Sequence, residues 1–243
     1  MGKPKLLDLF CGAGGTAVGY NRAGFDVVGV DLAPQKHYPF AFHQADALEV
    51  LDTLLTTQQW QGYHLSDFAV IHASPPCQAY SRSRHFRSVT NTNYTRPMLI
   101  APILRRLRAS GVPWILENVS GALDALHNAL ELCGTAFGLP ILRHRIFLCS
   151  EMLFAPSHCK HPDAFYNVTG GKVRAIGAHR TNKAYVTKSG QTQYREGHAR
   201  KSVGQAAMGI DWMTLKEMSE AIPPAYTEYL GRQLLSIVER EAA

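Results

Sequence analysis

"KLLDLFCGAGGTAVGYNRAGFDVVGVDL", Lys5 to Leu32, decides the fold. Lys5 to Phe10 is an apolar run closed by Gly12, Gly14 and Gly15, after which "TAVGYNRAGF" reads as a helix. "DVVGVDL" is then a second buried strand. A strand, a glycine turn, a helix and another strand open a parallel α/β sheet. Glycines at such a turn let the backbone come close to a ligand and leave helix N–H groups pointing at it.

The pattern continues outward. "AVIHASPP" is a third strand, broken by Pro75 and Pro76, and "RPMLIAPILRRLRASG" is amphipathic, with Gly111 as a stop signal. "PWILENV" and "HRIFLCS" read as further strands. Strands alternating with helices predict a Rossmann-like α/β domain, its sheet parallel and covered by helices on both faces. From Glu151 to Val203 the chain is rich in Gly, Thr, Lys, Arg and His without a clear period, which predicts a small irregular insert. Helical character returns from Gln205 and ends in "TEYLGRQLLSIVEREAA". The expected organisation is one domain from residues 1–150 and 204–243, interrupted by a unit at 151–203.

Composition supports this division. A chain of 243 residues, 46% hydrophobic and 18% charged, can bury one good-sized core and is not disordered. It shows no charged-then-apolar leader and no apolar run of membrane-spanning length. Five widely spaced cysteines, an odd number, suit reduced thiols in a cytoplasmic setting. The net charge of +6 is concentrated: nine Lys/Arg against three acids between Glu151 and Val203 account for all of it. A neutral body with one basic segment suggests a polyanionic partner for that segment.

The glycine turn has acidic partners. Asp31 ends the second strand 23 positions after Asp8, where a carboxylate can accept hydrogen bonds from ribose hydroxyls. Asp46, in "QADALEV", falls where a third strand or the loop beyond it would face an adenine amine. This spacing suits a nucleoside cofactor without separating a nicotinamide dinucleotide from S-adenosylmethionine. The absence of a third glycine at position 17, with Phe10 before the turn, leans toward the second.

A second constellation carries chemistry. Pro75 and Pro76 stiffen the approach to Cys77, which would sit at the carboxyl end of a sheet strand. From Gln78 through Arg96 there is no acid, while Arg82, Arg84, His85, Arg87 and Arg96 supply positive charge. Such a field is expected to lower a thiol pKa and could also hold phosphates. "ILENV" puts Glu117 at the end of an apolar strand, where desolvation would raise its pKa toward use as a proton donor. "RHR" would put Arg143 and Arg145 on one side of an extended segment.

These motifs together resemble the DNA cytosine-5 methyltransferase family, in the family's own order and along most of the chain. "DLFCGAGG", "VGVD" and "QADA" are similar to its cofactor motifs, "PPCQAYS" to its nucleophile motif, "LENV" to its glutamate motif and "LRHRIF" to its arginine motif. The resemblance implies that Cys77 attacks C6 of a flipped-out cytosine, Glu117 acts at N3, and Arg145 holds O2 with Arg143 in support. It implies S-adenosylmethionine as cofactor, held by Phe10, Gly12, Gly14, Asp31, Leu32, Asp46, Ala47, Pro76 and Leu99. Double-stranded DNA is the implied partner of a monomeric enzyme. Gln78, Ser81, Arg82 and Arg84 would belong to a loop closing on DNA. Lys183, Lys188 and Arg195 would lie in a target-recognition region at 151–203.

The chain departs from the family at two points. Ile141 stands where a glutamine is common, and "SEAIPP" places Glu220 at a usual asparagine position. "HCKH", with His158, Cys159 and His161, lacks any C-x-x-C partner, Cys149 being the nearby extra thiol, so no metal is expected. A tRNA-directed enzyme of the same chemistry and an inactive module that binds DNA and cofactor are the competing readings. The compact length hints at a phage or prophage origin.

Overall fold

A computed structural model describes residues 2–80, 97–157, 159–176, 185–186, 192–193 and 197–241. The opening stretch folds as its sequence predicts: β1 (Lys5–Leu9), helix α1 (Gly15–Ala23) and β2 (Asp26–Asp31). β3 (Ala41–Gln44), α2 (Ala47–Thr57), a hairpin of β4 (Gln59–Trp60) and β5 (Tyr63–His64), and β6 (Phe68–Ala73) follow. Next come α3 (Ile100–Ser110), β7 (Trp114–Asn118), β8 (Leu130–Leu132) and β9 (Arg145–Cys149).

Seven of these strands form one sheet in the order β3-β2-β1-β6-β7-β9-β8. The first five are parallel, but β9 runs antiparallel to β7 and to β8. The all-parallel expectation therefore fails at this edge, for a structural reason. A parallel neighbour needs a long crossover, usually helical. Between β7 and β9 the chain makes only short 3-10 turns (Ser120–Ala122 and Gly134–Phe137) around β8.

Both faces of the sheet are covered, so successive residues of β1 from Leu6 to Leu9 are buried rather than alternating. Leu7, Val28, Ile71 and Leu116 pack with Leu51 of α2 and Ile103 of α3. Leu6, Val27, Val70 and Ile115 pack on the other face with Tyr20 of α1 and with Tyr226 and Leu230 of α6 (Pro224–Glu241). The α1–α6 crossing is close enough to require glycine: a Cβ on Gly19 would lie 2.0 Å from Thr227 Oγ1.

The segment read as irregular contains more order than its composition indicates. β10 (Phe165–Thr169), β11 (Lys172–Ile176) and, further along, β14 (Gly197–Ala199) make a three-stranded antiparallel sheet. A two-residue ribbon, β12 (Tyr185–Val186) with β13 (Thr192–Gln193), lies between them in sequence. Helices α4 (Lys201–Met208) and α5 (Leu215–Glu220) return the chain to the main domain. A third cluster joins the two parts, with Val168, Val173, Met208, Met213 and Met218 packing around Ile141 and Ala13 of the glycine turn. Trp212 Nε1 donates to the Ala13 carbonyl at 2.8 Å.

Asp8 is fully buried in β1, accepting hydrogen bonds from Thr16 Oγ1 (3.0 Å) and Tyr38 Oη (3.4 Å). Burial raises its pKa from 3.8 to about 7, more than these donors lower it. A carboxyl raised on folding stabilises most below its unfolded pKa, and that contribution is lost as pH rises through 7. Ionised Asp8 then costs about 4 kcal/mol. Asp8→Asn is expected to flatten the fall in melting temperature between about pH 4.5 and 7; parallel curves for the two proteins would refute this account of Asp8.

Candidate active site

Three chemical side chains reach one end of the sheet by three routes. Cys77 follows β6 through Pro75 and Pro76 and opens a short 3-10 turn, Cys77–Ala79. Glu117 lies near the end of β7, buried, and Arg145 begins β9. Because β9 is reversed, its start lies beside the end of β7, and Arg145 Nε meets Glu117 Oε1 at 3.1 Å.

Desolvation raises the Glu117 pKa, opposed by the charge of Arg145 and a hydrogen bond from Ser74. The direction matches the reading from the apolar strand. Cys77 differs from expectation: burial raises its pKa, and Arg145 opposes this only in part. The arginines expected to lower it, Arg82, Arg84, Arg87 and Arg96, lie outside the described residues. So do Ser81 and the insert cations Lys183, Lys188 and Arg195, whereas Gln78 is present and exposed next to Cys77.

Two supports were not apparent from the sequence. Asn118 Nδ2 donates to the Pro75 carbonyl at 3.0 Å, fixing the loop that carries Cys77 to the strand that carries Glu117. Behind Glu117 runs a buried chain of polar groups: Ser74 Oγ pairs with His72 Nε2 at 2.7 Å, and His72 Nδ1 with Tyr20 Oη at 2.9 Å. Burial drops the His72 pKa to about 3, so its imidazole is neutral and orients Ser74. The sequence signal was a polar triplet pattern inside an apolar strand, His72 and Ser74 either side of Ala73.

Arg143 does not share the position of Arg145. It precedes β9, outside strand alternation, and its Nη1 and Nη2 donate to the carbonyls of Val168 (3.0 Å) and Ser219 (2.7 Å). It thus ties β10 and α5 to the main sheet. Burial lowers its pKa to about 9, with Arg145 adding to the effect. Ile141, in place of the expected glutamine, is buried in the third cluster against Gly134. Cys77, Arg143 and Arg145 line a cleft of about 330 Å³ whose opposite wall is β10 (Tyr166 to Thr169) and Met208.

Seven of the nine proposed cofactor residues lie at or just after the ends of β1, β2 and β3; Pro76 and Leu99 lie elsewhere, after β6 and before α3. Phe10 (φ 58) and Gly12 (φ 49) adopt left-handed backbone, and Gly14 (φ 84) caps α1. A Cβ on Gly12 would meet nothing within 4 Å, so the turn faces open space. Asp31 borders that space, with Oδ2 accepting from Gly12 N (3.0 Å) and Oδ1 from Ala33 N (2.9 Å). Leu32 beside it is 69% exposed, an apolar surface fit for a base. Asp46 caps α2 through Oδ1 to Leu48 N and Glu49 N, ahead of buried Ala47. Pro76 precedes the Cys77 turn and Leu99 precedes α3. An acid, an apolar face and an open glycine turn fit a nucleoside. Glu220, at the usual asparagine position, is exposed at the end of α5.

The expectation of no metal meets an unforeseen cluster. Ligand atoms of Cys133, His144, Cys159 and His161 all lie within 4.8 Å of one another. Nearest to Cys159 and His161 in the sequence are His158 and, among the thiols, Cys149. His158 lies outside the described residues, and Cys149 Sγ donates to the Phe147 carbonyl instead. Cys133 and His144 are distant in sequence, so motif spacing gave no sign of them.

The chain is similar to known proteins in sequence and in fold. The model of the C-5 cytosine-specific DNA methylase family matches residues 4–137. The chain is 28% identical over 166 residues to the type II methyltransferase M.AgeI of Thalassovita gelatinovora, covering 59% of this chain and 38% of that protein. It is 30% identical over 146 residues to M.AquIA of Picosynechococcus (56% and 57%). It is 26% identical over 172 residues to the human tRNA (cytosine(38)-C(5))-methyltransferase (63% and 43%). The matches thus span between about two fifths and three fifths of those relatives. In fold it is similar to a protein encoded within an E. coli prophage (TM-score 0.57, 14% identity, 97% and 99% of the chains). It is also similar to the Entamoeba histolytica methyltransferase EhMeth (TM-score 0.58, 10% identity, 98% and 99%).

Arg143→Met is expected to destabilise the protein by roughly 2–4 kcal/mol, since two buried carbonyls lose charged donors. Urea unfolding measures this; a loss below about 0.5 kcal/mol, the range of ordinary surface changes, would show that Arg143 does not brace the two sheets.

Proposed function

The chain belongs to the C-5 cytosine-specific DNA methylase family, and from that premise we propose that it is a DNA cytosine-5 methyltransferase. The observation that carries the reading is the cleft itself. A thiol and an arginine paired to a buried glutamate face an opposing wall of β10, with room for a single base. A base inside a duplex cannot reach such a depth, so the target is flipped out of double-stranded DNA.

In the proposed mechanism the Cys77 thiolate forms a bond to C6 of cytosine, and the C5–C6 π pair shifts into the ring. Glu117, kept protonated more readily by burial, donates at N3 where that charge accumulates. Arg145, oriented by Glu117, holds O2. S-adenosylmethionine supplies an electrophilic methyl group for C5. Phe10, Gly12, Gly14, Asp31, Leu32, Asp46, Ala47, Pro76 and Leu99 would hold it, with Asp31 accepting from the ribose. As C5 takes the methyl, N3 returns its proton to Glu117; loss of the C5 proton to solvent then re-forms the C5–C6 double bond, breaks the C6–S bond and returns Cys77 as thiolate. Burial holds the resting Cys77 toward the thiol, with Arg145 opposing in part.

Residues 1–150 and 204–243 form the catalytic unit in this reading, and 151–203 the target-recognition region. Their position across the cleft from Cys77, and the nine Lys/Arg against three acids between Glu151 and Val203, suit phosphate contacts. The enzyme would act as a monomer in the cytoplasm. Among the described residues no helix is long and apolar enough to cross a membrane.

Mass spectrometry of nucleosides from cells expressing the chain tests the proposal. It predicts 5-methylcytosine in DNA, and a loss of at least about a hundredfold in turnover for Cys77→Ser with cofactor binding kept. Methylation confined to tRNA, or turnover of Cys77→Ser within tenfold of the parent, would overturn it.

A further inference from the structure

The thiols and imidazoles of Cys133, His144, Cys159 and His161 come from separate parts of the fold. Cys133 follows β8 and is buried; His144 lies between the two cleft arginines; Cys159 and His161 come after β9, where the chain leaves the main sheet. Cys159 Sγ lies 3.1 Å from His161 Nε2 and 3.8 Å from His144 Nε2, and Cys133 Sγ lies 3.8 Å from His161 Nε2. The two imidazole rings are centred 5.0 Å apart and inclined at 72°. Their nitrogens and both sulfurs point into one common space.

We propose that this cluster is a structural zinc site. With Zn–S and Zn–N bonds of about 2.3 and 2.0 Å at tetrahedral angles, ligand atoms are separated by about 3.3–3.8 Å. The observed separations bracket that range, and small side-chain rotations close the shell. Two thiolates and two imidazoles favour zinc over magnesium or calcium, which take oxygen ligands. Four protein ligands leave no open position, so the ion would not act on substrate. Binding releases the two thiol protons and changes no oxidation state. Thr135 Oγ1, 3.3 Å from Cys133 Sγ, can donate to the thiolate as an outer support.

The site would clamp the start of the insert to the main domain. Through His144 it would also fix the backbone between Arg143, which braces β10, and Arg145, which pairs with Glu117. Zinc would therefore stabilise the cleft wall that faces Cys77 without entering it.

Elemental analysis of the full chain, purified in reductant without chelator, is expected to give about one zinc per chain. After zinc removal under reducing conditions, cobalt(II) is expected to give the visible absorption of a tetrahedral thiolate complex. His161→Ala, an exposed position, and Cys159→Ser should each lower bound metal at least about tenfold, whereas Cys149→Ser should retain it. The proposal is overturned if the parent chain holds under about a tenth of an equivalent after zinc reconstitution and gives no tetrahedral cobalt spectrum. It is also overturned if Cys149→Ser loses as much metal as Cys159→Ser, or if non-reducing peptide maps of freshly purified protein show Cys133 and Cys159 joined as a disulfide.

Discussion

The pairing of Glu117 with Arg145 depends on one reversal of chain direction, and the rest of the site depends on that pairing. Had β9 run parallel to β7, its first residue would lie at the far end of the sheet from the last residues of β7. Running antiparallel, it delivers Arg145 to the buried carboxylate and leaves Arg143 just outside the strand, free to reach the carbonyls of Val168 and Ser219. One reversal thus sets one guanidinium against the buried carboxylate and another against the carbonyls of β10 and α5.

A buried carboxylate beside a cation is a poor means of adding stability, since desolvation offsets much of the attraction. Here desolvation wins for both Glu117 and Cys77, and each is held nearer its neutral form. That state suits a site where charge must develop only once a base is present. The Tyr20–His72–Ser74 chain and the Asn118 contact to Pro75 hold these groups without adding further charge.

Much of this was legible in the sequence where the signal is local. The strand, glycine turn and helix at Lys5–Ala23, and the Pro-Pro-Cys loop after β6, follow from apolar runs and backbone-restricting residues next to one another. The direction of the Glu117 shift follows from an acid in an apolar strand. What was not legible depends on partners far apart in the chain. The reversal of β9 follows from a missing crossover helix, and the separate fates of Arg143 and Arg145 follow from where that strand begins. Cys133 and His144 meet Cys159 and His161 only after three separate segments are folded together. The raised thiol of Cys77 reflects a balance in which burial exceeds the neighbouring charge, which composition alone cannot weigh.

The central claim is that Cys77 attacks the cytosine ring in a cleft closed by β10. Trapping tests it most directly: a duplex carrying 5-fluorocytosine, incubated with the protein and S-adenosylmethionine, cannot lose fluorine as it would a proton. Because the target site is unknown, the duplex is a long, sequence-diverse one whose unfluorinated counterpart the protein methylates. The account predicts a denaturation-stable adduct mapped by peptide mass spectrometry to Cys77 and absent from Cys77→Ser. A duplex that is methylated when unfluorinated yet gives no adduct, or an adduct on Cys11 or another thiol, would contradict it.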